Sequence, residues 1–434
     1  MKYHLITVAL LSTFVSFAND NPFSNLDREV QSAYLSKEAE QKQFQEWYKE
    51  HMLEYASWRE EYIKRWDGER SQSIETWGDA QISDSHSKVA YDASNASRTV
   101  VDYEQETVTI EVIVDDNVDM DEMKIALHQQ LTESLKTDTG MDTKSLETLD
   151  VSEASERSLT YDPDFEKQAL QDIVSQTNSQ LQQIDKEAEL LAEQAGRELD
   201  PTIIDAQKTQ LVSQAKTRMT SVSKSFESQR NQVDPVREAT PKKKVVSLKV
   251  RMPSDSLKKR IDPYLSDIYH QSEVFNIKPE LVLAIIHSES SFNPSARSPI
   301  PAFGLMQVVT TSAGHDVNRI VHKVDKPMNE ADLYKPSYNI QAGTGYLDIL
   351  NTRYLREIED PKSREYCVIA AYNTGAGNVA KAFGERRIKS AAMKINTMTP
   401  DQVYDTLINN LPYEETINYL KKVTKRQKDY AAES

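Results

Sequence analysis

The stretch of residues 279–307 constrains this chain most, because it places one ionisable acid on an almost wholly apolar helix. Pro279 suits the first position of a helix, and the residues after it are apolar on nearly every face, which predicts a buried helix. The helix is expected to end near Asn293, because the residue before Pro294 is pushed out of the α region. Glu289 lies in its last turn, on the face of the isoleucines one turn earlier.

Glu289 is the candidate general acid of the chain. A carboxyl group on the apolar face of a buried helix resists ionisation, so its pKa is expected to lie above the usual range. A general acid that works at neutral pH needs such an environment. The structural alternative is that Glu289, like most glutamates near a helix C-terminus, is simply solvated.

Polar and soft apolar groups follow Glu289 closely in the sequence. Ser298 offers a hydroxyl, Met306 a soft apolar side chain and Gln307 an amide, next to a backbone turn at Gly304. Together these groups could line a cleft for a ligand that is polar but has apolar faces, such as an amino sugar.

The first 18 residues are predicted to be a secretory signal peptide. Lys2 supplies the charged start, residues 5–15 form an apolar run, and residues 16–18 make a small-x-small cleavage site. The run is short for a membrane span, although a retained N-terminal anchor is the alternative. No cysteine follows the run, so no lipid anchor is expected there, and the mature protein is predicted to be soluble.

Charge and cysteine content exclude several classes of function. Before residue 255 there are 46 acidic and 29 basic residues, which make this region a poor binder of nucleic acid or anionic membrane. The single cysteine, Cys367, lies in an apolar run and is interpreted as a buried hydrophobe, so an internal disulfide is excluded. The eight histidines show no metal-ligand spacing, and neither a metal site nor a cofactor is predicted.

The predicted fold class is α+β, and the β-structure is expected in the N-terminal half. A charged aromatic helical segment at 19–80 is followed by a mixed α/β domain at 81–253. In that domain, residues 98–103 and 107–114 are predicted to form a hairpin, and residues 245–250 a strand that pairs with it.

The remainder of the N-terminal half shows no chemistry in its sequence. Residues 84–95 are expected to form a loop and residues 120–135 a helix. Residues 164–232 are expected to form long exposed helices that are interrupted at Pro201. This half is therefore interpreted as a binding or positioning module.

Residues 254–434 are predicted to be a compact all-α domain, because no strand pattern of any length appears in them. Its helices are expected at 255–275, 280–291, 302–313, 339–356, 363–374, 376–383, 400–408 and 413–430.

Two segments of this domain add polar side chains to the candidate site. Tyr372 and Asn373 precede a glycine-rich turn, where a hydroxyl and an amide could orient a substrate or a water molecule. The same pattern is also typical of an ordinary helix C-cap. Tyr338 precedes Asn339, which is a candidate N-cap of the next helix.

The last helix adds two more candidates. Glu415 could act as a second carboxylate, although an acid in the first turn of a helix more commonly interacts with the helix dipole. Tyr419 belongs to the same opening segment of the helix.

Five motifs occur in order along this half: E-S-S-F-N-P, G-L-M-Q, N-I-x-A-G-x-x-Y-L, A-Y-N-x-G-x-G and E-T-x-x-Y. The set resembles that of the family 1 lytic murein transglycosylases and spans residues 265–430. This resemblance implies a goose-type-lysozyme-like catalytic domain. The hairpin segment V-V-D-Y-E-Q-E-T-V-T-I-E-V resembles the N-terminal domain of one family member, which is usually an outer-membrane lipoprotein. The present chain lacks the acylated cysteine, so a soluble periplasmic form is expected, with peripheral attachment to the outer membrane as the alternative.

The resemblance implies a reaction and a role for each residue. The reaction would be non-hydrolytic cleavage of the β-1,4 bond between N-acetylmuramic acid and N-acetylglucosamine, with formation of 1,6-anhydro-N-acetylmuramic acid, in cell-wall remodelling or turnover. Glu289 would serve as acid and then as base. Sugar-binding and positioning roles would fall to Ser298, Met306, Gln307, Tyr338, Tyr372, Asn373, Glu415 and Tyr419. Expected partners are peptidoglycan glycan strands and, through the N-terminal domain, envelope proteins.

Two other functions remain open from the sequence. A hydrolysing muramidase of the same fold would need a second acid to activate water, and none is obvious apart from Glu415. A non-catalytic peptidoglycan-binding protein would leave Glu289 without a task, and the intact motif set argues against it.

Overall fold

The computed structural model describes residues 22–119, 123, 125, 127–132, 154–195, 199–232 and 243–433. The predicted signal peptide and half of the helix predicted at 120–135 lie outside these residues, although residues 127–132 are helical. Helix α1, Pro22–Trp77, is the first element. Contacts divide the chain into residues 1–52 and residues 53–434, and the second unit holds every described element after α1. The domain boundaries at 81 and 254 stay predictions.

A five-stranded antiparallel sheet forms the β-part of the molecule. Its strands, in the spatial order β1-β2-β3-β5-β4, are β1 Ser87–Tyr91, β2 Ser97–Asp102, β3 Thr107–Asp115, β5 Lys243–Arg251 and β4 Ala154–Ser158. The predicted hairpin is confirmed as β2 and β3, with Val101 opposite Val108. The predicted third strand is confirmed as β5, with Leu248 opposite Ile110. The alternating residues of β3 and β5 bury one face of the sheet.

One sheet prediction was wrong. Residues 84–95 do not form only a loop, because β1 pairs with β2 along its whole length. The segment S-K-V-A-Y is short, and as an edge strand it buries little, so it shows no alternation of buried apolar and exposed polar residues.

Long helices follow the sheet strands. Helix α2 runs from Pro163 to Ala195, α3 from Pro201 to Ser225 and α4 from Glu227 to Gln232, and α2 packs against α3. The predicted interruption is confirmed, because Pro201 is the first residue of α3 and the Asp200 side chain accepts a hydrogen bond from the Thr202 amide.

The C-terminal part is almost entirely helical. Its helices are α5 Ser256–Ile261, α6 Leu265–Phe275, α7 Pro279–Ser290, α8 Ala313–Val317, α9 Glu330–Leu333, α10 Pro336–Ile349, α11 Pro361–Thr374, α12 Ala376–Ala382, α13 Ile388–Ile395, α14 Pro400–Asn410 and α15 Glu414–Glu433. Helix α7 is buried as predicted, with every residue from Leu281 to Ile286 in the core. Helix α15 packs against both α7 and α11. The predicted α+β class is confirmed.

The prediction of a helix at 302–313 was wrong. Strands β6, Ala302–Phe303, and β7, Val308–Val309, form a small antiparallel hairpin there, so the C-terminal part is not wholly α. Gly304 and Gln307 both have positive φ values, 71° and 46°, which a helix does not accommodate. Helix α13 was not predicted at all.

Asn339 holds this hairpin in place. It is not the predicted N-cap, because Lys335 occupies that position and α10 already begins at Pro336. Asn339 is buried in the first turn, where its Nδ2 donates to the Phe303 carbonyl at 2.7 Å and its Oδ1 accepts from the Met306 amide at 2.7 Å. The hairpin is thus fixed to α10 through its backbone.

The tight turn at Gly304 gives a stability prediction. A Cβ atom at this position would meet Asn339 Nδ2 at 2.5 Å, and φ is 71°. We expect Gly304→Ala to lower the free energy of unfolding by about 3 kcal/mol, because backbone strain and steric overlap act together. Gly384→Ala is the matched control, since Gly384 has a φ of 75° but open space around it. Its loss should be about 1 kcal/mol. Equal losses in urea-induced unfolding would contradict this account.

Candidate active site

Glu289 lies at the end of helix α7, one residue before its last residue. Tyr419, from α15, donates its hydroxyl to Glu289 Oε1 at 2.7 Å. Burial raises the pKa of the Glu289 carboxyl to about 7, and the hydrogen bond from Tyr419 only partly opposes that rise. A substantial fraction of this carboxyl is therefore protonated near neutral pH, as a general acid requires.

Three charged side chains act on Glu289 beyond this hydrogen bond. The positive charges of Lys186 and Lys422 lower its pKa, whereas the negative charge of Glu415 raises it. Burial also raises the pKa of Glu415 itself. Glu415 lies in the first turn of α15, close enough for its charge to act on Glu289.

Tyr372 and Asn373 end helix α11 beside Glu289. The Tyr372 hydroxyl donates to the Met306 carbonyl at 2.8 Å, which ties α11 to the turn of the β6–β7 hairpin. Asn373 Oδ1 accepts a hydrogen bond from Thr416 Oγ1 at 2.7 Å. Buried Tyr372 has a pKa raised well above its usual value, first by burial and then by the charge of Glu289.

The hairpin turn carries Met306 and Gln307. Met306 is fully buried, and a Cβ atom at Gly343 would overlap its side chain, so Met306 packs directly on α10. Gln307 Nε2 donates to the Gly304 carbonyl at 3.0 Å. Among the described residues, the buried Gln307 Oε1 has no hydrogen-bond partner.

Two of the predicted site residues, Ser298 and Tyr338, have contacts that do not involve Glu289. The Ser298 hydroxyl donates to the Ile300 carbonyl within its own loop. Tyr338 stacks on His322, with ring centroids 6.2 Å apart, at the start of α10. Neither residue takes part in the interactions of Glu289 given above.

Sequence reasoning missed Lys186, which comes from helix α2. Its Nζ donates to the carbonyls of Tyr372 and Asn373 at 3.0 and 3.1 Å. Burial lowers the pKa of Lys186 to about 8, although the charges of Glu289 and Glu187 oppose that shift. A lysine in a polar helix carries no sequence signal for such a contact.

Helix α2 was predicted to be exposed, and this was wrong on one face. The buried polar residues of α2 include Gln180, Gln183, Lys186 and Glu187. Gln180 Nε2 donates to the Pro299 carbonyl at 3.0 Å, and Gln183 Nε2 donates to Ser312 Oγ at 3.3 Å. Apolar residues such as Ile173 and Ile184 are also buried in this helix, but the periodicity of apolar residues gives no signal for the contacts of its polar side chains.

Comparison with known proteins agrees with this site. Residues 268–395 match the family model described as Transglycosylase SLT domain. The match includes Glu289, the β6–β7 hairpin and Tyr372, whereas Glu415 and Tyr419 lie beyond it.

A curated relative extends the match. Over 184 residues the chain is 44% identical to Membrane-bound lytic murein transglycosylase C of Pectobacterium atrosepticum. The aligned part covers 42% of this chain and 51% of that protein, so the chain spans about half the length of the curated relative. The resemblance to lytic murein transglycosylases that the five motifs indicate is confirmed.

Solved structures of lytic transglycosylases also match in part. One is the complex of a 70-kDa soluble lytic transglycosylase with bulgecin A, at 24% identity and a TM-score of 0.32, covering 41% of this chain and 26% of that one. Another is an inactive mutant of lytic transglycosylase Slt from Pseudomonas aeruginosa, at 16% identity and a TM-score of 0.32, covering 58% and 36%. Such low scores carry no argument.

The raised pKa of Glu289 predicts a pH-dependent stability cost. The folded protein holds a proton on Glu289 between the usual pKa of 4.5 and about 7, so this carboxyl makes folding less favourable as the pH rises through that window. Glu289→Gln removes the ionisation. We expect it to match the wild type in stability at pH 4 and to exceed it by about 3 kcal/mol at pH 8.

Chemical unfolding of both proteins across this pH range measures the difference. Glu273→Gln, an exposed substitution at the end of α6, is the control for the change in net charge. A stability difference between wild type and Glu289→Gln that stays constant from pH 4 to pH 8 would contradict a buried, neutral carboxyl.

Proposed function

We propose that the protein is a peptidoglycan lytic transglycosylase. The observation that carries this proposal is the partly buried carboxyl of Glu289, held by Tyr419 and with a pKa raised to about 7 by burial. It lies within the segment that matches the transglycosylase model. The substrate would be the β-1,4 bond between N-acetylmuramic acid and N-acetylglucosamine.

The reaction needs only one carboxyl group. Neutral Glu289 gives its proton to the glycosidic oxygen as the bond from that oxygen to C1 of the muramoyl unit breaks, which leaves an oxocarbenium-like centre. The C6 hydroxyl oxygen of the same sugar then bonds to C1, and its proton returns to the Glu289 carboxylate. The product is a 1,6-anhydro ring, no water is consumed, and the acid is regenerated.

The neighbouring groups support binding of a sugar. Asn373 already uses its amide oxygen on Thr416, so its NH₂ group is the donor it offers to a ligand. Gln307 Oε1, with no partner among the described residues, is an acceptor for a sugar hydroxyl or acetamide N–H. Met306 is fully buried and Tyr372 nearly so, and both would support the sugar-binding residues from within the core. Ser298, Tyr338 and Tyr419 complete the proposed set.

A hydrolysing muramidase is the second candidate, and Glu415 is the observation in its favour. A glycosidase that uses water needs a second carboxylate to activate it. Glu415 is close enough for its charge to raise the pKa of Glu289. A purely peptidoglycan-binding protein is a weaker candidate, because binding alone gives no reason for an acid with a pKa near neutrality.

We also propose a place in the cell envelope. The similar Pectobacterium protein is named membrane-bound, and residues 1–18 have the pattern of a signal peptide, which supports export to the periplasm. In the part of the chain that the structure describes, no helix is both long enough and apolar enough to cross a membrane. The proposed domains are 19–80, 81–253 and a catalytic domain at 254–434, and the middle one would meet envelope partners.

Product analysis tests the function directly. Purified peptidoglycan is digested with the wild type and with Glu289→Gln, and the released muropeptides are analysed by mass spectrometry. We expect products that end in 1,6-anhydro-N-acetylmuramic acid from the wild type. Glu289→Gln should lower their rate of formation by at least about a thousandfold, because the proton donor is lost. Protein that binds the insoluble wall and releases nothing would move the assignment to a binding protein.

Glu415→Gln separates the two reactions. If the protein is a transglycosylase, this variant should retain anhydro products within about tenfold of the wild-type rate, because Glu415 tunes Glu289 and transfers no proton. If it is a muramidase, the wild type should give reducing muramic ends, and Glu415→Gln should abolish them. The mass difference of one water molecule between the two products decides between these outcomes.

A further inference from the structure

The backbone immediately after Glu289 is strained. Ser291 and Phe292 have φ values of 49° and 64°, so two consecutive non-glycine residues lie in the left-handed region. Each such residue costs about 1 kcal/mol or more and persists only where its surroundings hold it. The turn sets the end of α7 and thereby the direction of the Glu289 side chain.

The tip of the β2–β3 hairpin holds this turn. Ser291 Oγ donates to Glu104 Oε2 at 2.6 Å. Arg260 Nε donates to the Ser291 carbonyl at 3.3 Å, and Arg260 Nη2 donates to Glu106 Oε1 at 2.7 Å. The contacts of Glu104 and Glu106 join residues more than 150 positions apart, so the sheet of the N-terminal half reaches the end of the helix that carries Glu289.

Glu104 also reaches helix α15, which carries Tyr419. Arg426 Nη2 donates to the two Glu104 oxygens at 3.1 and 3.2 Å, and Lys422 Nζ lies 3.4 Å from Oε1. Arg426 in turn donates to the His287 carbonyl at 2.8 Å. One carboxylate thus joins α7 and α15, the two elements whose spacing sets the Glu289–Tyr419 hydrogen bond.

Glu104 remains ionised in this setting. Burial alone would raise its pKa, but the hydrogen bond from Ser291 and the charges of Arg426, Lys422 and His86 outweigh burial and lower the pKa to about 2. His86 Nε2 lies 4.0 Å from Glu104. The negative charge is therefore constant at every pH where the enzyme would work.

We propose that Glu104, on the hairpin of the N-terminal half, is a positioning residue for Glu289. It fixes the strained turn after Glu289, sets the distance from α7 to α15, and neutralises Lys422. The inference rests on the proposed function for its catalytic consequence. The active site then depends on the sheet of the N-terminal half for its geometry.

Loss of the Glu104 charge should lower the pKa of Glu289. The groups that act on Glu289 are Tyr419, Lys186, Glu415 and Lys422. Without Glu104, Lys422 loses its counter-charge, and its positive charge favours the Glu289 carboxylate more strongly. The neutral, acid form of Glu289 should then be lost at a lower pH than in the wild type.

The test compares Glu104→Gln, Glu104→Asp and Glu111→Gln with the wild type, as folded full-length proteins on soluble glycan strands. We expect Glu104→Gln to lower kcat roughly ten- to a hundredfold with little change in KM, because bound substrate meets a misplaced acid. The alkaline limb of its pH–rate profile should move to lower pH. Glu104→Asp, which keeps the charge, should restore that limb. Glu111→Gln breaks an ion pair with Arg98 in the same sheet, far from α7, and should leave kcat and the limb unchanged.

Three outcomes would overturn the proposal: wild-type kcat and pH profile in Glu104→Gln, a limb that Glu104→Asp does not restore, or the same changes in Glu111→Gln. Wild-type protein that forms no anhydro products would overturn the proposed function alone. The positioning role is then measured by ¹³C NMR titration of the Glu289 carboxyl, assigned with Glu289→Gln. A titration moved to lower pH in Glu104→Gln supports the role, and an unchanged titration overturns it.

Discussion

Water is kept away from the Glu289 carboxyl by three stretches of chain that lie far apart in the sequence. Helix α7 supplies the apolar surroundings, α15 supplies the Tyr419 hydroxyl, and α2 brings Lys186 over the end of α11. A carboxyl group with this pKa therefore depends on the tertiary structure, since the helix that carries it would leave it hydrated if isolated.

The charges around Glu289 act against each other on its pKa. Burial alone would hold Glu289 neutral over a wider pH range, and Glu415 adds to that effect, whereas Lys186 and Lys422 oppose it. An acid that must later accept a proton as a base works best near the midpoint of its titration. The cations beside it shift the carboxyl toward that midpoint, and Glu104 limits how far Lys422 can shift it.

Local patterns in the sequence were enough for some parts of this arrangement. Helix α7 with Glu289 near its end, the raised pKa of that carboxyl and the β2–β3 hairpin could be predicted, because apolar periodicity, β-branched alternation and proline positions are local signals. The β6–β7 hairpin could not, because its form depends on Asn339, whose side chain bonds to both sides of the turn. Lys186 and Glu104 were missed for a similar reason: each acts through a contact with residues more than 180 positions away, and no local period records such a contact.

The glycines of the A-Y-N-T-G-A-G segment have a role that backbone conformation does not explain alone. A Cβ atom at Gly375 would lie 3.1 Å from Lys186 Cγ, and one at Gly377 would overlap the Glu189 carboxylate. Helix α2 thus lies so close to this segment that only the side chains of α2 fit between the two backbones. In descendants of this sequence, a larger residue at 377 would require the end of the Glu189 side chain to move, which would draw it away from its ion pair with Lys381. Substitutions at 377 and at 189 are therefore expected to depend on each other.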